Sequence, residues 1–249
     1  MTEATTPIVL ISGARGGIGR ALCVLLHGQG WQVAAVGRDA ALLADVPAAL
    51  RIAADTTTPE GAAMAISACA EQLGQTPSHL AHCVGSTLIA PLHRTSGAQW
   101  REVLRINLDS ALCMLGAWIE ARRCAQQPGA AVLVSSVVAQ IGVANHEAIA
   151  AAKAGVEGLV RSAAATYASM GLRVNAVAPG MTDTPLTAGM LKMSAMREGA
   201  GKQYPLGGVQ TAEQVAQAMA WLLSDSASRI TGHVLPVDGG FTHIRPLVK

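Results

Sequence analysis

The stretch from Ile8 to Gly19 reads IVLISGARGGIG and joins a continuous apolar run to a cluster of glycines. A short apolar run rich in β-branched residues predicts a strand buried on both faces, here Ile8–Ser12. The Ala- and Leu-rich stretch Gly17–Gln29 predicts a helix directly after the glycines. Glycines allow a sharp turn, and a bare helix start presents free N–H groups and a positive dipole end. The stretch therefore indicates a phosphate-binding turn between a strand and a helix.

Short apolar runs and longer helical stretches alternate along the rest of the chain. Further strands are predicted at Gln32–Val36, Leu50–Ala53, His79–Val84, Ala131–Ser135, Arg173–Ala176 and His233–Val237, and further helices at Pro59–Leu73, Ala98–Gln126, Ala148–Met170 and Ala212–Ser224. This alternation favours parallel βαβ units. We predict an α/β fold of one domain, residues 1–249, with a Rossmann-like, doubly wound parallel sheet of about seven strands flanked by helices. The segment Met181–Gly208 breaks the rhythm and predicts a flexible loop-plus-helix flap without strand character.

Composition excludes several classes of protein. The net charge of +2 is too small to indicate nucleic acid or an anionic membrane as a partner. No apolar stretch reaches the roughly 20 residues of a membrane span, and residues 1–7 lack the features of a secretory signal. The five cysteines form no CxxC pair and no metal-ligand pattern, so we expect no metal, reduced buried thiols and a cytoplasmic location.

The spacing of the glycines and the end of the second strand bear on the ligand. The glycines follow a GxxxGxG pattern, and their position between a strand and a helix indicates a dinucleotide. The second strand ends in Val36-Gly37-Arg38-Asp39, without the acid that usually binds the ribose hydroxyls of NAD. Guanidinium groups at Arg15 and Arg38 suit a 2′-phosphate, which favours NADP(H) over NAD(H). The alternative is two solvated surface arginines, and Asp55 is either an adenine contact or a loop Asx residue.

These motifs resemble the short-chain dehydrogenase/reductase family, and most closely its 3-oxoacyl-[acyl-carrier-protein] reductases. The resemblance spans about residues 7–241 and includes the glycine loop, RINLDS around Asn107, VLVSS ending at Ser136, Lys153, RVNAVAPG at 173–180 and TGHVLPVDGGF at 231–241. It implies catalytic roles for Ser136, Lys153 and Asn107. It also implies a cofactor site built from Ser12, Gly13, Arg15, Gly17, Ile18, Gly19, Arg38, Asp55, Val84, Gly85, Lys153, Pro179, Gly180, Thr182 and Thr184.

Two positions depart from the family pattern. The NNAG motif reads HCVG from His82 to Gly85, and we expect His82 to replace the asparagine that stabilises the sheet. The catalytic YxxxK tyrosine, four residues before Lys153, is Ile149. In the family, the tyrosine hydroxyl exchanges a proton with the substrate oxygen, which isoleucine cannot do. His146 lies one helical turn before Ile149 and is a candidate substitute, because histidine exchanges protons near neutral pH. An exposed or capping histidine is the alternative.

Two functions remain open from the sequence. The first is an NADP(H)-dependent oxidoreductase that acts on a ketone or 3-oxoacyl thioester with atypical or impaired proton transfer. The second is an inactive cofactor-binding subunit that assembles with an active paralogue. The resemblance implies a dimer or tetramer through the helix Ala148–Met170, whose small residues allow close contact. Cations could serve an acidic acyl carrier, although solvated faces are the alternative; they are Lys192, Arg197, Lys202 and the pair Arg122-Arg123.

Overall fold

Seven parallel strands form the central sheet in a computed structural model that describes residues 6–245. Residues 1–5, on which the expected lack of a secretory signal partly rests, and residues 246–249 lie outside the described residues. The strands of the sheet are β1 (Ile8–Ser12), β2 (Gln32–Gly37), β3 (Leu50–Ala53), β4 (His79–His82), β5 (Gly129–Val134), β6 (Leu172–Pro179) and β9 (Val234–Val237). The helices are α1 (Gly17–Gly28), α2 (Pro59–Leu73), α3 (Gly97–Leu104), α4 (Ser110–Ala125), α5 (Glu147–Tyr167), α6 (Ser194–Gly201) and α7 (Ala212–Leu223).

The strand order places a ligand-binding crevice at the middle of the sheet. The order is β3-β2-β1-β4-β5-β6-β9, so the chain runs outward from β1 in one direction and then crosses back to β4 on its other side. Helices on either side of the reversal diverge, and a crevice opens at the carboxyl ends of β1 and β4. The predicted doubly wound sheet of seven strands is confirmed, and its switch point coincides with the glycine turn.

Two apolar layers hold the helices against the sheet. On one face, α1 and α7 bury Leu22, Leu26 and Met219 against the sheet. On the other face, α2, α4 and α5 pack through side chains that include Trp118 and Val160. Continuous apolar strands such as β1, in which every residue is buried, supply both layers at once. The carboxyl-terminal edge of the sheet is thereby held rigidly from both sides.

The predicted helix Ala98–Gln126 is wrong as a single element. It consists of α3 and α4 separated by a π-helical turn over Arg105–Asp109, in which the Ser110 N–H bonds to the Arg105 carbonyl. Local side chains occupy carbonyls of this stretch: Asn107 Nδ2 donates to the Val103 oxygen at 2.9 Å and Ser110 Oγ to the Ile106 oxygen at 2.5 Å. The spacing of apolar residues does not reveal such a turn, because α4 continues the apolar face of α3 with almost no change in direction.

The segment after β6 contains the expected helix, α6, and also a short strand. Thr182–Asp183 forms β7, which pairs in parallel with β8 (Gln210–Thr211). The absence of strand character predicted for Met181–Gly208 is therefore wrong at its first residues, since two residues are too few to give an alternating pattern. The expectation of buried thiols also needs correction: Cys23 and Cys69 are buried, whereas Cys124 is exposed.

Candidate active site

Two adjoining cavities lie at the carboxyl ends of the central strands. The first, about 400 Å³, is called the lysine cavity because Lys153 lines it; the second, about 370 Å³, is called the arginine cavity because Arg15 and Arg38 line it. Both cavities share Gly16 and the loop after β4, residues 83–86. They therefore form one continuous groove that crosses the switch point of the sheet.

The glycine turn allows close approach on two sides. Gly13 has a φ of +73°, and a Cβ there would lie 2.7 Å from the carbonyl carbon of Cys83. A Cβ at Gly17 would lie 2.6 Å from Cγ2 of Thr184, so only glycine lets the segment after β6 reach the turn. The residue before α1 is Gly16, which supplies no side-chain cap to the first turn. The donors at this helix start are thus available to an anionic group in the groove.

Arg15 and Arg38 bring two guanidinium groups to the arginine cavity. Among the described residues, neither of them forms an ion pair. Asp55 lines the same cavity, but its Oδ1 accepts from the Thr57 N–H at 3.0 Å and from the Thr57 hydroxyl at 2.7 Å. These bonds, the hydroxyl first, lower the pKa of Asp55, and they match the Asx alternative. Arg105, which sequence reasoning missed, also lines the cavity while pairing with Glu102.

Ser12 is the one predicted cofactor residue whose side chain the structure turns away from the groove. It is fully buried beneath the glycine turn and lines neither cavity. Its hydroxyl lies 2.7 Å from Nδ1 of His82, in line with the sheet-stabilising role expected of that histidine. Ser12 is the last residue of β1, so its side chain packs against the neighbouring strand of the sheet and does not point into the turn. The other predicted cofactor residues all line one or both cavities.

Ser136, Lys153 and Ile149 all face the lysine cavity. Ser136 follows β5 and is half-buried, whereas Lys153 comes from α5 and is 6 % exposed. Lys153 Nζ donates to the Val134 carbonyl at 2.8 Å and has no carboxylate partner among the described residues. Burial lowers the pKa of Lys153 to about 8. A buried, unpaired ammonium group is costly to a fold, so this lysine marks a candidate functional site.

Asn107 also faces the lysine cavity, but both ends of its amide are occupied. Its Oδ1 accepts from the Ser86 N–H at 3.1 Å, and its Nδ2 donates to the Ser86 hydroxyl at 2.9 Å. These bonds hold the loop between Cys83 and Ser86, which forms the shared wall of both cavities. The geometry gives the Asn107 side chain a role in shaping the groove.

Ile149 forms an apolar wall where the family pattern has a phenol. It is 5 % exposed and packs in a cluster with Val103, Ala148 and Ala152. Nothing in this side chain can give or take a proton. An isoleucine packs well at this position because α3 and α5 bury other apolar side chains against each other here.

His146 is the residue just before α5 and lines the same cavity. Its Nδ1 lies 2.7 Å from the Ala144 carbonyl oxygen, and a carbonyl can only accept, so Nδ1 carries the hydrogen. Its Nε2 is then the atom that can exchange a proton. His146 makes no side-chain cap to the helix, which removes one of the structural alternatives for it.

The segment after β6 closes the cavity from the other side. Pro179, Gly180, Thr182 and Thr184 line it as predicted, and the Thr182 hydroxyl is held between the Gly180 oxygen at 3.0 Å and Gln210 Nε2 at 2.9 Å. The hydroxyl groups of Thr184 and Thr187 form a hydrogen bond with each other at 3.1 Å.

Tyr204 lines the same cavity and was missed from the sequence, because it has no lysine at the expected spacing. Its hydroxyl accepts from the Met181 N–H at 2.6 Å, and burial raises its pKa.

The cations that could serve an acidic carrier are mostly engaged within the chain. Arg197 pairs with Asp183, Lys202 with Glu198, and Arg123 with Glu120. Arg122 is buried and donates to backbone carbonyls of Thr76 and Pro128. Of the residues named for this role, only Lys192 forms neither an ion pair nor a side-chain hydrogen bond within residues 6–245. The solvated-face alternative therefore fits these side chains better than a carrier-docking patch.

Two kinds of feature are absent from the part of the chain that the structure describes. Between residues 6 and 245, no helix is both long and apolar enough to cross a membrane. The same residues contain no cluster of three or more histidine, cysteine, aspartate or glutamate side chains placed to hold a metal ion.

Comparisons with known proteins agree with this architecture. A family model described as enoyl-(acyl carrier protein) reductase matches residues 13–242. The chain is 39 % identical to cis-4-hydroxycyclohexanecarboxylate dehydrogenase from Sinomonas cyclohexanicum over 95 % of this chain and 97 % of that protein. It is 32 % identical to a 3-oxoacyl-[acyl-carrier-protein] reductase from Pseudomonas aeruginosa, covering 94 % and 96 % of the two chains.

A solved structure shares the whole fold. Ligand-free aldohexose dehydrogenase from Thermoplasma acidophilum superposes with a TM-score of 0.88 at 28 % identity, over 98 % of this chain and 97 % of that one. The fold and these matches are those of a class of α/β proteins with a Rossmann-like sheet whose named relatives here are dehydrogenases and reductases. The chain belongs to the short-chain dehydrogenase/reductase family.

Proposed function

We propose that this chain is an NADP(H)-dependent oxidoreductase that interconverts a small ketone and its secondary alcohol with a non-standard proton transfer. The observation that carries the proposal is the meeting of Ser136 and Lys153 in a cavity that continues into the glycine turn and the two unpaired arginines. A hydroxyl donor and a cation face one space, while an anion cradle occupies the other end. This is the arrangement that hydride transfer to a carbonyl needs.

The groove fits a dinucleotide phosphate on the chemistry of its donors. Gly13 and Gly17 leave the turn bare, and a Cβ at either position would fill the space beside it. Arg15 and Arg38 would hold a 2′-phosphate, and Val84 and Gly85, which line both cavities, would contact the ligand. When bound, the nicotinamide supplies or accepts the hydride. Lys153 would hold a ribose hydroxyl of the cofactor through the N–H groups that do not bond to Val134.

Each residue of the lysine cavity has a distinct part in the proposed reaction. Ser136 Oγ donates a hydrogen bond to the substrate oxygen, and the Lys153 charge stabilises the negative charge that develops there. As hydride reaches the carbonyl carbon, the π electron pair moves to oxygen, which must then take a proton. Ile149 cannot supply it, so His146 Nε2 or solvent does. The reaction is therefore slower than a tyrosine would allow.

The lining of the lysine cavity favours a compact, mainly apolar substrate over a carrier-bound thioester. Apolar side chains make up much of the lining and include Val138, Val143, Ile149, Leu186 and Met190. Three of the cationic side chains that could bind a carrier, Arg123, Arg197 and Lys202, form ion pairs within the chain. The relative from Sinomonas cyclohexanicum is named for a hydroxyl on a six-membered ring, a secondary alcohol of the size that such a cavity could hold. Ring ketones are thus the first substrates to try, with 3-oxoacyl thioesters as the competing class.

The test separates binding from turnover. Titrating NADPH and NADH by fluorescence should show tighter binding of NADPH. Single-turnover assays with cyclohexanones and with a 3-oxoacyl thioester should then show slow oxidation of bound NADPH with at least one ketone. Absence of NADPH binding would overturn the proposal, and binding without turnover on any of them would leave the second candidate function.

That second candidate is an inactive cofactor-binding subunit, and the apolar packing of Ile149 favours it. Helix α5 offers a partner a smooth outer face of small exposed residues, Ala151, Ala154, Ser162 and Ala165, which would allow close helix contact in a homo- or hetero-oligomer. Light scattering with and without a second reductase of the family that has the tyrosine tests this. A mixed oligomer with increased activity of the partner would support it, and a homo-oligomer indifferent to the partner would count against it.

A further inference from the structure

A buried histidine joins the glycine turn to the far wall of the groove. His82 is the last residue of β4, 2 % exposed, and it lies between β1 and α4. Its Nδ1 is 2.7 Å from the Ser12 hydroxyl, and its Nε2 is 3.0 Å from the Ser110 hydroxyl. We call this set of three side chains the His82 bridge.

The protons of the His82 bridge can be assigned from the partners alone. Ser110 Oγ lies 2.5 Å from the Ile106 carbonyl, which can only accept, so Ser110 donates to it. Ser110 must then accept from His82, which places the ring hydrogen on Nε2. Nδ1 is left as an acceptor for the Ser12 hydroxyl, whose other neighbour, the Ala81 carbonyl, is 3.5 Å away. The bridge is therefore one directed chain of hydrogen bonds, from Ser12 through His82 and Ser110 to Ile106.

Each end of the bridge touches a part of the groove. Ser12 leads directly into Gly13, and the Ser12 carbonyl accepts from the Cys83 N–H at 2.9 Å. At the other end, Ile106 belongs to the π-helical turn that presents Asn107. Asn107 in turn holds the backbone of Ser86, in the wall shared by both cavities.

We propose that His82 is a positioning residue: through Ser110 and the π-helical turn it fixes Asn107 and the Ser86 backbone opposite the glycine turn, and so sets the width of the dinucleotide groove. This inference rests on the proposed function for the identity of the ligand, but the geometric link does not depend on it. A helix that merely continued from α3 to α4 would carry Asn107 at a different angle. Through the His82 bridge, the π-helical turn is hydrogen-bonded to strand β4 of the central sheet.

The bridge is a constant of the fold rather than a switch. Burial, and then the nearby charge of Lys153, lowers the pKa of His82 to about 3. Cys83, which follows His82 in the chain and lies near Lys153, is a partly buried thiol whose pKa is raised by burial. Among residues 6–245, Lys153 is thus the one group near the ring that changes its charge close to neutral pH, with a pKa of about 8. The ring should remain neutral from about pH 5 to pH 9.

The experiment compares four single variants of the full chain and the double variant His82→Asn/Ser110→Ala. His82→Asn keeps an acceptor for Ser12 but is too short for Ser110, and Ser110→Ala removes the other partner. His82→Gln can still present an amide hydrogen near the position of Nε2. The matched control is His79→Gln at the opposite end of β4, where the ring contacts Ser78 and Trp31 away from the groove.

The first readout is exchange of the Ser86 amide hydrogen, followed by NMR. His82→Asn and Ser110→Ala should each speed it about tenfold, the factor expected for one ordinary hydrogen bond, and together they should do no more. His82→Gln should restore most of the protection, and His79→Gln should leave it unchanged. In His82→Asn and Ser110→Ala, the Kd for NADPH should rise about tenfold. In the wild type, ¹⁵N shifts should show that the His82 ring is protonated at Nε2 and does not titrate.

Several results would overturn the proposal. These are an Nδ1-protonated or titrating ring, additive effects of the two substitutions, or Ser86 exchange that follows global stability equally in the control. If His82→Asn fails to fold, Ser110→Ala and the ring spectrum decide the matter alone. A wild type that shows the bridge in NMR but binds no dinucleotide would refute the proposed function and leave the geometric link standing.

Discussion

Replacing Ile149 by tyrosine tests whether the lysine cavity lacks only a proton donor. Ile149 lies on α5 one turn before Lys153, and it lines the same cavity as Ser136. A phenol at this position would face the space where a substrate oxygen meets the Ser136 hydroxyl. General acid catalysis contributes about 10²–10⁴-fold, which is about 3–5 kcal/mol of barrier. We therefore expect Ile149→Tyr to raise kcat at least about 100-fold.

The substitution also carries a cost in stability. Ile149 is 5 % exposed and packs against Val103 and Ala152, so a larger ring must displace part of this cluster or turn into the cavity. Overpacking of this kind costs about 1–3 kcal/mol. For a chain of this length that corresponds to a fall in Tm of up to about 10 °C. Thermal unfolding should show this fall even when activity rises.

Ile149→Phe is the matched control, because it adds the ring without the hydroxyl. The assay is NADPH oxidation with a cyclohexanone, followed at 340 nm, for wild type and both variants. Phenylalanine should match tyrosine in Tm and the wild type in kcat. The reasoning is refuted if the tyrosine variant binds NADPH normally but turns over no faster than the phenylalanine variant.

Three further predictions concern other positions of the groove. Lys153→Met should stabilise the protein by about 2 kcal/mol at pH 7, because it removes a buried charge. Burial lowers the pKa of Lys153 to about 8, so the folded state binds fewer protons than the unfolded state between pH 8 and 10.5. The wild type therefore regains the stability lost to the buried charge as the pH rises through that window. Denaturant unfolding at pH 7 and pH 10 checks this, and an equal gain at both would contradict it. Arg38→Ser should weaken NADPH binding about 10-fold or more and change NADH binding less than about 3-fold, because only the 2′-phosphate loses a charge-assisted partner; equal losses for the two in a fluorescence titration would exclude a 2′-phosphate contact. Tyr204→Phe should cost about 1–3 kcal/mol in calorimetric stability, because it leaves the Met181 N–H without its acceptor.

The parts of this molecule that the sequence predicts well are those with a repeated physical signal. Strands such as β1 are buried on both faces, so an uninterrupted apolar run identifies them. The groove is predictable for the same reason: the glycine turn follows a strand, and parallel strands bring their carboxyl ends to one edge. Arg15 and Arg38, 23 residues apart, meet in one cavity because β1 and β2 are neighbours in register.

The features that the sequence hides depend on contacts between distant residues. The π-helical turn at Arg105–Asp109 changes a hydrogen-bond pattern without changing the apolar stripe. Tyr204 reaches the lysine cavity only because the chain returns from α6 toward β6, where it bonds to Met181. Ser12 was assigned to the ligand because it precedes the glycines, whereas strand alternation turns it toward His82. Its side-chain direction follows from the pleat, a signal that could have been used.

The geometry separates the binding of a dinucleotide from its turnover, and that separation bears on both candidate functions. Ile149 does not line the arginine cavity, and its apolar cluster is formed mainly by side chains of α3 and α5. Lys153, by contrast, is buried at a cost in stability whether or not a reaction follows. Ser136 is therefore the more informative residue, because its half-buried hydroxyl bonds only weakly, at 3.4 Å, to the Val138 N–H. The groove combines an intact glycine turn, the available hydroxyl of Ser136 and the apolar side chain of Ile149. In such an arrangement the residue at position 149 decides between slow catalysis and binding alone.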